Sequence, residues 1–469
     1  MDATEIAFAG AAEQARMLAA GAITAPELLE LYLDRIDRLD PQLNAFRVVL
    51  RESARAEAAA AQERLDAGER LPLLGVPVAI KDDVDVAGHV TAWGTSAHGP
   101  AKSADGLVVT RLREAGAVLI GKTNVPEMTI WPFTETLSYG ATRNPWDTTR
   151  TPGGSSGGTA AAVAAGLAAI GLGSDGGGSI RIPAIWCGLY GLKPQRDRVP
   201  IAPHDDAWNG LSVNGPLART VEDAALFLDA TSDGSGLPTP DGGFVAAAGR
   251  DPGRLRIAIS TKIPPGLLAR VGRAQRAALE DAASVLRGLG HDVIQQDPDY
   301  PAGGGALHFM PRYLRGIADD VASMPHPERL EARTRTMARL GRMISDRRLA
   351  AVRAAEPAFS ARVLSIFEDV DLVITPGAAT GPSRIGAYQQ RGGLATLNAV
   401  IGRVPFQAVF NATGQPAAIV PWGLDEDGLP LGIQVVARPS EEGTLLALST
   451  QLETARPWAA RRPALAVGS

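Results

Sequence analysis

Residues Thr151 to Ala184, TPGGSSGGTAAAVAAGLAAIGLGSDGGGSIRIPA, constrain this chain more than any other stretch. Two serine-bearing glycine clusters flank a run built almost wholly from Ala, Gly, Val, Leu and Ile. Glycine serves where backbone turns sharply or approaches another group closely. Serines set between glycines therefore predict hydroxyls carried on bent, exposed backbone. A flexible Gly/Ser linker is the plain alternative, but a linker has no reason to enclose an apolar segment.

The rest of the composition narrows the class. A chain of 469 residues permits two or three domains or one large α/β unit. Hydrophobic residues make up 45% and charged residues 21%, as in ordinary globular proteins. A net charge of −5 gives no electrostatic footprint for nucleic acid or an anionic membrane. Cys187 is the single cysteine, so neither a disulfide framework nor a cysteine metal site is expected. The opening MDATEIAFAG has no basic segment before an apolar core, so no secretory leader is expected. The longest apolar run, Ala160 to Gly173, is too short to span a bilayer. These readings predict a cytoplasmic protein. Five of the 46 basic residues are lysine: Lys81, Lys102, Lys122, Lys193 and Lys262. Where arginine is the default cation, a retained lysine points weakly to a need for an amine that can lose its proton.

Along the chain, helix and strand patterns alternate. Thr24 to Leu39 reads as an amphipathic helix with Leu28, Tyr32 and Ile36 on one face and a Thr24/Glu27 capping box. A second helix runs over about 52–65. Gly75 to Ile80 reads as a buried strand ending at Lys81-Asp82-Asp83, and Ala117 to Ile120 as the next strand, after a short helix carrying Val108 and Leu112. Short strands follow Ala184, then a helix over 221–229. Ser232 to Gly243 is a linker or long surface loop by its Gly, Pro, Asp and Ser content. A strand–helix–strand unit follows over 255–260, 274–289 and 291–294. Residues 329–367 read as helical with solvated arginine faces. Strands return at 372–375, 417–420 and 431–436, and a helix closes the pattern over 441–452. No internal repeat is visible, and the alternation predicts α/β architecture.

Three motif matches are formal only. Gly116 to Thr123 fits the P-loop expression, but its four middle residues are themselves the strand. Gly171-Leu-Gly173-Ser-Asp-Gly176 fits a dinucleotide fingerprint, yet Pro183 interrupts the helix that should receive the pyrophosphate. Gly153-Gly-Ser155-Ser-Gly157 fits a nucleophile elbow, but a turn-like Asn144-Pro145-Trp146-Asp147 precedes it in place of a strand. His204, His291, His308 and His326 stand in no suggestive local setting.

Read on its own residues, Asp175-Gly-Gly-Gly-Ser179-Ile-Arg181 offers a hydroxyl and a run of backbone N–H groups in one turn. That combination supplies a nucleophile and an oxyanion site together. It does not supply a base.

Gly153-Gly-Ser155-Ser156-Gly-Gly, followed by Gly173-Ser-Asp175-Gly176-Gly177-Gly178-Ser179-Ile-Arg181-Ile-Pro183-Ala184, resembles the motif of the amidase signature family. Ser155 and Ser179 stand 24 positions apart, the spacing that family uses. Supporting matches include Gly75-Val-Pro-Val-Ala-Ile-Lys81-Asp82, Gly121-Lys-Thr-Asn124, Thr142-Arg-Asn-Pro-Trp146, Gly188 to Pro194, Gly215 to Thr220, Gly414-Gln-Pro416 and Gly428 to Gln434. The resemblance therefore covers most of the chain.

It implies a Ser-cisSer-Lys triad, with Ser179 as nucleophile, Ser155 as bridging serine and Lys81 as base. It further implies a cis peptide bond at Gly154–Ser155. The N–H groups of Gly176, Gly177, Gly178 and Ser179 would hold the oxyanion. Asp175 and Arg181 would brace the loop, with Ser156 bonded nearby. Lys81 must be neutral to act, so burial has to pull it down from about 10.4. At Gly176 the family commonly has a larger residue, so glycine there is expected to leave space. Neither metal nor cofactor is implied.

The implied fold is a single α/β/α domain over 1–469, with a large mixed twisted β-sheet covered by helices on both faces. The core motif occupies 151–184, and a variable helical region over about 303–370 lies near the pocket mouth. Ser232 to Gly243 then becomes a surface excursion. Met128, Ile130, Trp131 and Phe133 form an apolar cluster that suits a substrate wall or ordinary core.

The implied function is hydrolysis of linear non-peptide amides, aryl or alkyl amides and anilides, through a serine acyl-enzyme, with carbamates and esters open to the same chemistry. The implied partner is a small-molecule amide or carbamate, not nucleic acid or membrane, with a homodimer as a candidate assembly. A glutamine-dependent amidotransferase subunit is the alternative. That subunit usually carries Gln where Ile182 stands, and it continues differently after Lys193-Pro194. A non-catalytic binding protein is disfavoured, since it has no need of a buried neutral amine.

Overall fold

Strands read from apolar runs are buried on both faces, which requires a sheet covered on each side. In a computed structural model describing residues 2–467, seven strands have every residue buried. In chain order the strands are β1 (Phe46–Val49), β2 (Pro77–Lys81), β3 (Val118–Thr123), β4 (Glu135–Thr136), β5 (Gly140–Ala141), β6 (Ile170–Asp175) and β7 (Tyr190–Lys193). They continue as β8 (Val213–Ala218), β9 (Arg256–Ile259), β10 (Asp292–Gln295), β11 (Leu372–Pro376), β12 (Ala417–Leu424) and β13 (Pro430–Ala437). All but the small β4–β5 pair belong to one 11-stranded sheet, ordered β1-β3-β2-β6-β8-β7-β12-β13-β11-β9-β10. β3, β2 and β6 run parallel, as do β11, β9 and β10. The remaining pairs are antiparallel. The fold is thus the mixed, helix-covered α/β sheet of the sequence reading.

Local chemistry explains the boundaries. Helix Ala25–Leu43 opens on the expected capping box: Thr24 N–H donates to Glu27 at 2.9 Å, and Glu27 N–H donates to the Thr24 hydroxyl at 3.3 Å. It runs a turn beyond the expected Leu39, because Leu43 continues the buried stripe. Asn44, in the left-handed region at φ 51°, ends it. The strand at Phe46–Val49 carries no clear sequence signal, because it is short and only Phe46 is buried. Ser232 to Gly242 is a surface excursion between helices Val221–Thr231 and Gly243–Ala248, which pack against each other.

The Ala-rich run resolves into helix Gly157–Ala164 and strand β6. Glycine lets the two meet: a Cβ on Gly171 would lie 2.2 Å from Thr159 Cγ2. The dinucleotide match fails for this reason, because Gly171 and Gly173 are sheet residues. Pro183, by contrast, is accommodated in the first turn of helix Arg181–Cys187, where a missing N–H costs nothing.

The region over 303–370 corrects the expectation of solvated arginine faces at Arg333. Its side chain is paired with Glu331 at 2.6 Å and lies over the Phe133 ring, 5.2 Å from the centroid. Helices Met310–Ser323, Ala332–Arg342 and Glu356–Leu364 form a second apolar core with Met128, Ile130, Trp131 and Phe133. No helix among the described residues is long and apolar enough to cross a membrane, and none of their acidic, His or Cys clusters suits a metal ion.

Candidate active site

The parallel strands β2 and β6 end side by side, and the carboxyl ends of such strands are where open α/β sheets build sites. Lys81 closes β2 with no exposed surface. Its Nζ lies 2.8 Å from Ser155 Oγ, 2.6 Å from Ser174 Oγ and 3.1 Å from Asp83 Oδ2. Ser174 in turn donates to Asp83 Oδ2 at 2.6 Å. Burial pulls the Lys81 ammonium below its ordinary value, against the opposing pull of the Asp83 carboxylate. The amine is thus anchored from one side and presents its remaining valence to Ser155.

The peptide bond Gly154–Ser155 is cis. Ser155 and Ser156 are buried, whereas Ser179 is part-exposed. The two glycine clusters are stitched together: Ser156 N–H donates to the Ser179 carbonyl at 3.1 Å, and Ser156 Oγ donates to the Ser174 carbonyl at 3.2 Å. Ser155 and Ser179 line the same cavity, but no direct hydrogen bond joins their hydroxyls among the described residues.

Asp175 organises the loop. Its carboxylate takes Arg181 Nε and Nη2, both at 3.0 Å, with neither side chain exposed. Asn411 Nδ2 adds a bond to it at 2.9 Å. Burial works against the Asp175 charge, yet the adjoining Arg181 guanidinium overrides this and holds the carboxyl well below the usual carboxylate range. One expectation changes here. The Gly178 N–H donates to Asp175 Oδ1 at 2.6 Å, so it braces the loop and is not free for an oxyanion. Gly178 sits at φ +119°, a conformation only glycine adopts easily, and this turns its N–H inward. The N–H groups of Gly176, Gly177 and Ser179 have no such partner among the described residues.

Two cavities meet at Ser179. One, about 310 Å³, is mostly apolar and is lined by Ile130, Trp131, Ile182, Phe309 and Tyr313 among others. The other, about 130 Å³, is polar and contains Ser155, Ser174 and Ser179. Of the apolar cluster read from sequence, Ile130 and Trp131 reach the first cavity, while Met128 and Phe133 lie behind it in the core. Tyr313 ties this wall to the helices by donating to the Ile130 carbonyl at 2.7 Å.

Trp208 lines both cavities and was not legible in the sequence. The space expected at Gly176 is filled by its ring, since a Cβ there would lie 2.7 Å from Trp208 Cε3. Gly316 gives way on the opposite side, where a Cβ would come 2.9 Å from Trp208 Cδ1. Gly176→Ala is therefore expected to destabilise by about 1–3 kcal/mol through overpacking. In thermal melts, Gly176→Ala/Trp208→Ala should be no less stable than Trp208→Ala alone. Additive losses would mean that the two do not compete for the slot.

Comparison with known proteins agrees with this geometry. The Amidase family model matches residues 27–446. The chain is 66% identical over 465 residues to the protein named "Putative amidase AmiB2" of Mycobacterium tuberculosis strain H37Rv, covering 99% of this chain and 100% of that one. It is 35% identical to the 6-aminohexanoate-cyclic-dimer hydrolase of Paenarthrobacter ureafaciens, over 97% of this chain and 96% of that one. Among solved structures, a bacterial aryl acylamidase of the amidase signature family superposes with a TM-score of 0.86 at 26% identity, covering 98% of each chain. A motif legible in the glycine–serine loops, a model spanning most of the chain and whole-length relatives all place it in one group: the chain belongs to the Amidase family, the amidase signature enzymes that hydrolyse amides.

Proposed function

We propose that this enzyme hydrolyses small amides of apolar acyl groups through an acyl-enzyme on Ser179, with Ser155 and Lys81 moving the proton. The observation that carries the reading is the buried Lys81 amine held 2.8 Å from Ser155 Oγ, at a cavity that Ser179 also lines. Neutral Lys81 accepts the Ser155 proton as Ser155 accepts that of Ser179. The Ser179 Oγ–acyl bond forms, and the N–H groups of Gly176, Gly177 and Ser179 stabilise the developing oxyanion. The C–N bond then breaks as Ser155 returns the proton to the leaving nitrogen, and water releases the acid by the reverse path. Contacts between apo hydroxyls of this kind tighten when substrate is bound. Ser156, Asp175, Gly178 and Arg181 position this loop without touching the reacting atoms.

The apolar cavity suits an aryl or alkyl acyl group, and the helices over about 303–370 form its outer wall. Ile182 belongs to that wall, which favours a stand-alone hydrolase over a glutamine-dependent amidotransferase. Carbamates and esters present the same acyl carbon and belong among the candidate substrates. Buried Cys187 is the one cysteine, which fits a reducing compartment, and we place the enzyme in the cytoplasm. The test is a panel sharing one benzoyl group (primary amide, anilide and ester), a phenyl carbamate analogue, and free glutamine. Turnover of the amides supports the reading. Ammonia released only from glutamine overturns it.

Asp83 sets a pH dependence. Activity needs neutral Lys81, so the rate falls as the pH falls through the Lys81 pKa. Asp83 favours the ammonium form, so Asp83→Asn lowers that pKa. The acidic limb of kcat/KM should then move to lower pH by about one unit or more. A limb that stays in place, or moves upward, contradicts Lys81 as the base.

A further inference from the structure

The polar cavity beside Ser179 is lined by five carboxylates, Asp83, Asp85, Asp206, Asp319 and Asp320, and by two indoles, Trp93 and Trp208. No Lys or Arg lines it, and His204 is its one basic side chain. Four of the carboxylates are already paired: Asp83 with Lys81, Asp85 with Lys102, Asp206 with Arg353 and Asp319 with Arg315. Asp320 has no ion pair among the described residues. It accepts only the Trp208 indole N–H, at 2.7 Å. A second acceptor waits deeper in: Asp83 is 8% exposed, and its Oδ1 has no hydrogen-bond partner among the described residues, although Oδ2 is fully engaged. A buried, unpartnered carboxylate oxygen is costly unless a donor arrives.

The cavity's place relative to the chemistry fixes which part of the substrate meets it. Ser155 lines this cavity and not the apolar one. On the reading proposed above, Ser155 hands its proton to the departing nitrogen, so the leaving amine lies on the Ser155 side. A volume of about 130 Å³ takes a short chain.

We propose that this cavity is a leaving-group subsite for cationic amines, so that the preferred substrates are apolar acyl amides of short diamines or similar amines carrying a second, protonated nitrogen. Asp320 pairs with the ammonium, Trp93 and Trp208 flank it, and Asp83 Oδ1 accepts a donor closer to the scissile bond. Burial pushes the Asp320 carboxyl up to about 6, against the Trp208 bond, and an arriving ammonium holds it ionised. The inference rests on the amidase reading and adds the charge of the amine.

Three benzoyl amides of matched leaving-arm length test it: N-(2-aminoethyl)benzamide, N-propylbenzamide and N-benzoyl-β-alanine. The intact enzyme should favour the cationic arm over the neutral one by about tenfold or more in kcat/KM, chiefly through KM, and should disfavour the anionic arm. Asp320→Asn keeps an acceptor for Trp208 and should bring the cationic-to-neutral ratio to within about threefold. A wild-type ratio near one, or a ratio that survives Asp320→Asn, overturns the subsite. Calorimetric binding of the cationic and neutral amides to Ser179→Ala reads the same preference without turnover. Failure of catalysis and failure of cation recognition are thereby separate results.

Discussion

Lys81→Ala is expected to lower kcat by about 10⁴-fold, the upper range for losing a positioned base, while the protein stays folded. The argument is geometric before it is electrostatic. Lys81 Nζ is the basic atom bonded to Ser155 Oγ, and it sits where no water competes for it. Ser174 and Asp83 hold it at 2.6 and 3.1 Å, so it cannot swing away. Burial lowers its pKa, and only the neutral form can take a proton. Lys81→Arg should be as inactive as Lys81→Ala, because a guanidinium does not deprotonate in proteins. Lys81→Met keeps the apolar stem and isolates the loss of the amine from any loss of packing. Circular dichroism and thermal melting of the three variants, beside their rates on a benzoyl anilide, check this. Substantial turnover in a folded Lys81→Met variant would remove Lys81 from the mechanism.

Asp175→Asn should cost about 3–5 kcal/mol of stability, because it strands the buried Arg181 guanidinium. Arg181 is wholly unexposed and bonds Asp175, Asn411 at 2.6 Å and Gln434 at 2.8 Å. The carboxylate also receives the backbone N–H groups of Gly178 at 2.6 Å and Ile180 at 3.2 Å. An amide in its place offers one acceptor oxygen and turns an NH₂ group toward some of those donors. The same change frees the Gly178 N–H and loosens the turn that carries Ser179, so activity should fall with stability. Since the carboxyl is held far below its ordinary value, its contribution is in full force above about pH 4 and is lost only as the pH falls toward the folded-state value. Denaturant midpoints at neutral pH read the effect. The paired change Asp175→Asn/Arg181→Met should recover part of the loss, since no charge is then stranded. A midpoint unchanged in Asp175→Asn would show that the network does not hold the loop.

The residues proposed to carry the chemistry were legible because they sit in short, glycine-marked segments whose local backbone does the positioning. Lys81 ends an apolar strand, and Ser155 and Ser179 lie in the two glycine clusters. The scarcity of lysine was a weaker guide. Lys81, Lys122 and Lys193 are all fully buried, yet Lys122 bonds Asp82 at 2.9 Å and Lys193 donates to the Pro194 carbonyl at 2.8 Å. Burial of a lysine therefore marks structure more often than chemistry in this fold. Gly178 could not be told from its neighbours by composition, because the direction of its N–H depends on φ +119° and on the Asp175 side chain. Trp208 and Asp320 were illegible for a different reason. They come from segments far apart in the chain and meet only because two glycines, Gly176 and Gly316, leave the slot for the ring. The apolar cluster was half resolved: Ile130 and Trp131 face the cavity while Met128 and Phe133 back them, a division set by tertiary packing and absent from hydrophobicity alone.

The most direct test of the central claim is acid quenching of the enzyme during turnover of a benzoyl ester or anilide, followed by peptide mass spectrometry. The account predicts a benzoyl group on the peptide containing Ser179, absent from Ser179→Ala, which should also lack turnover. An unmodified Ser179 peptide together with retained activity in Ser179→Ala would contradict it.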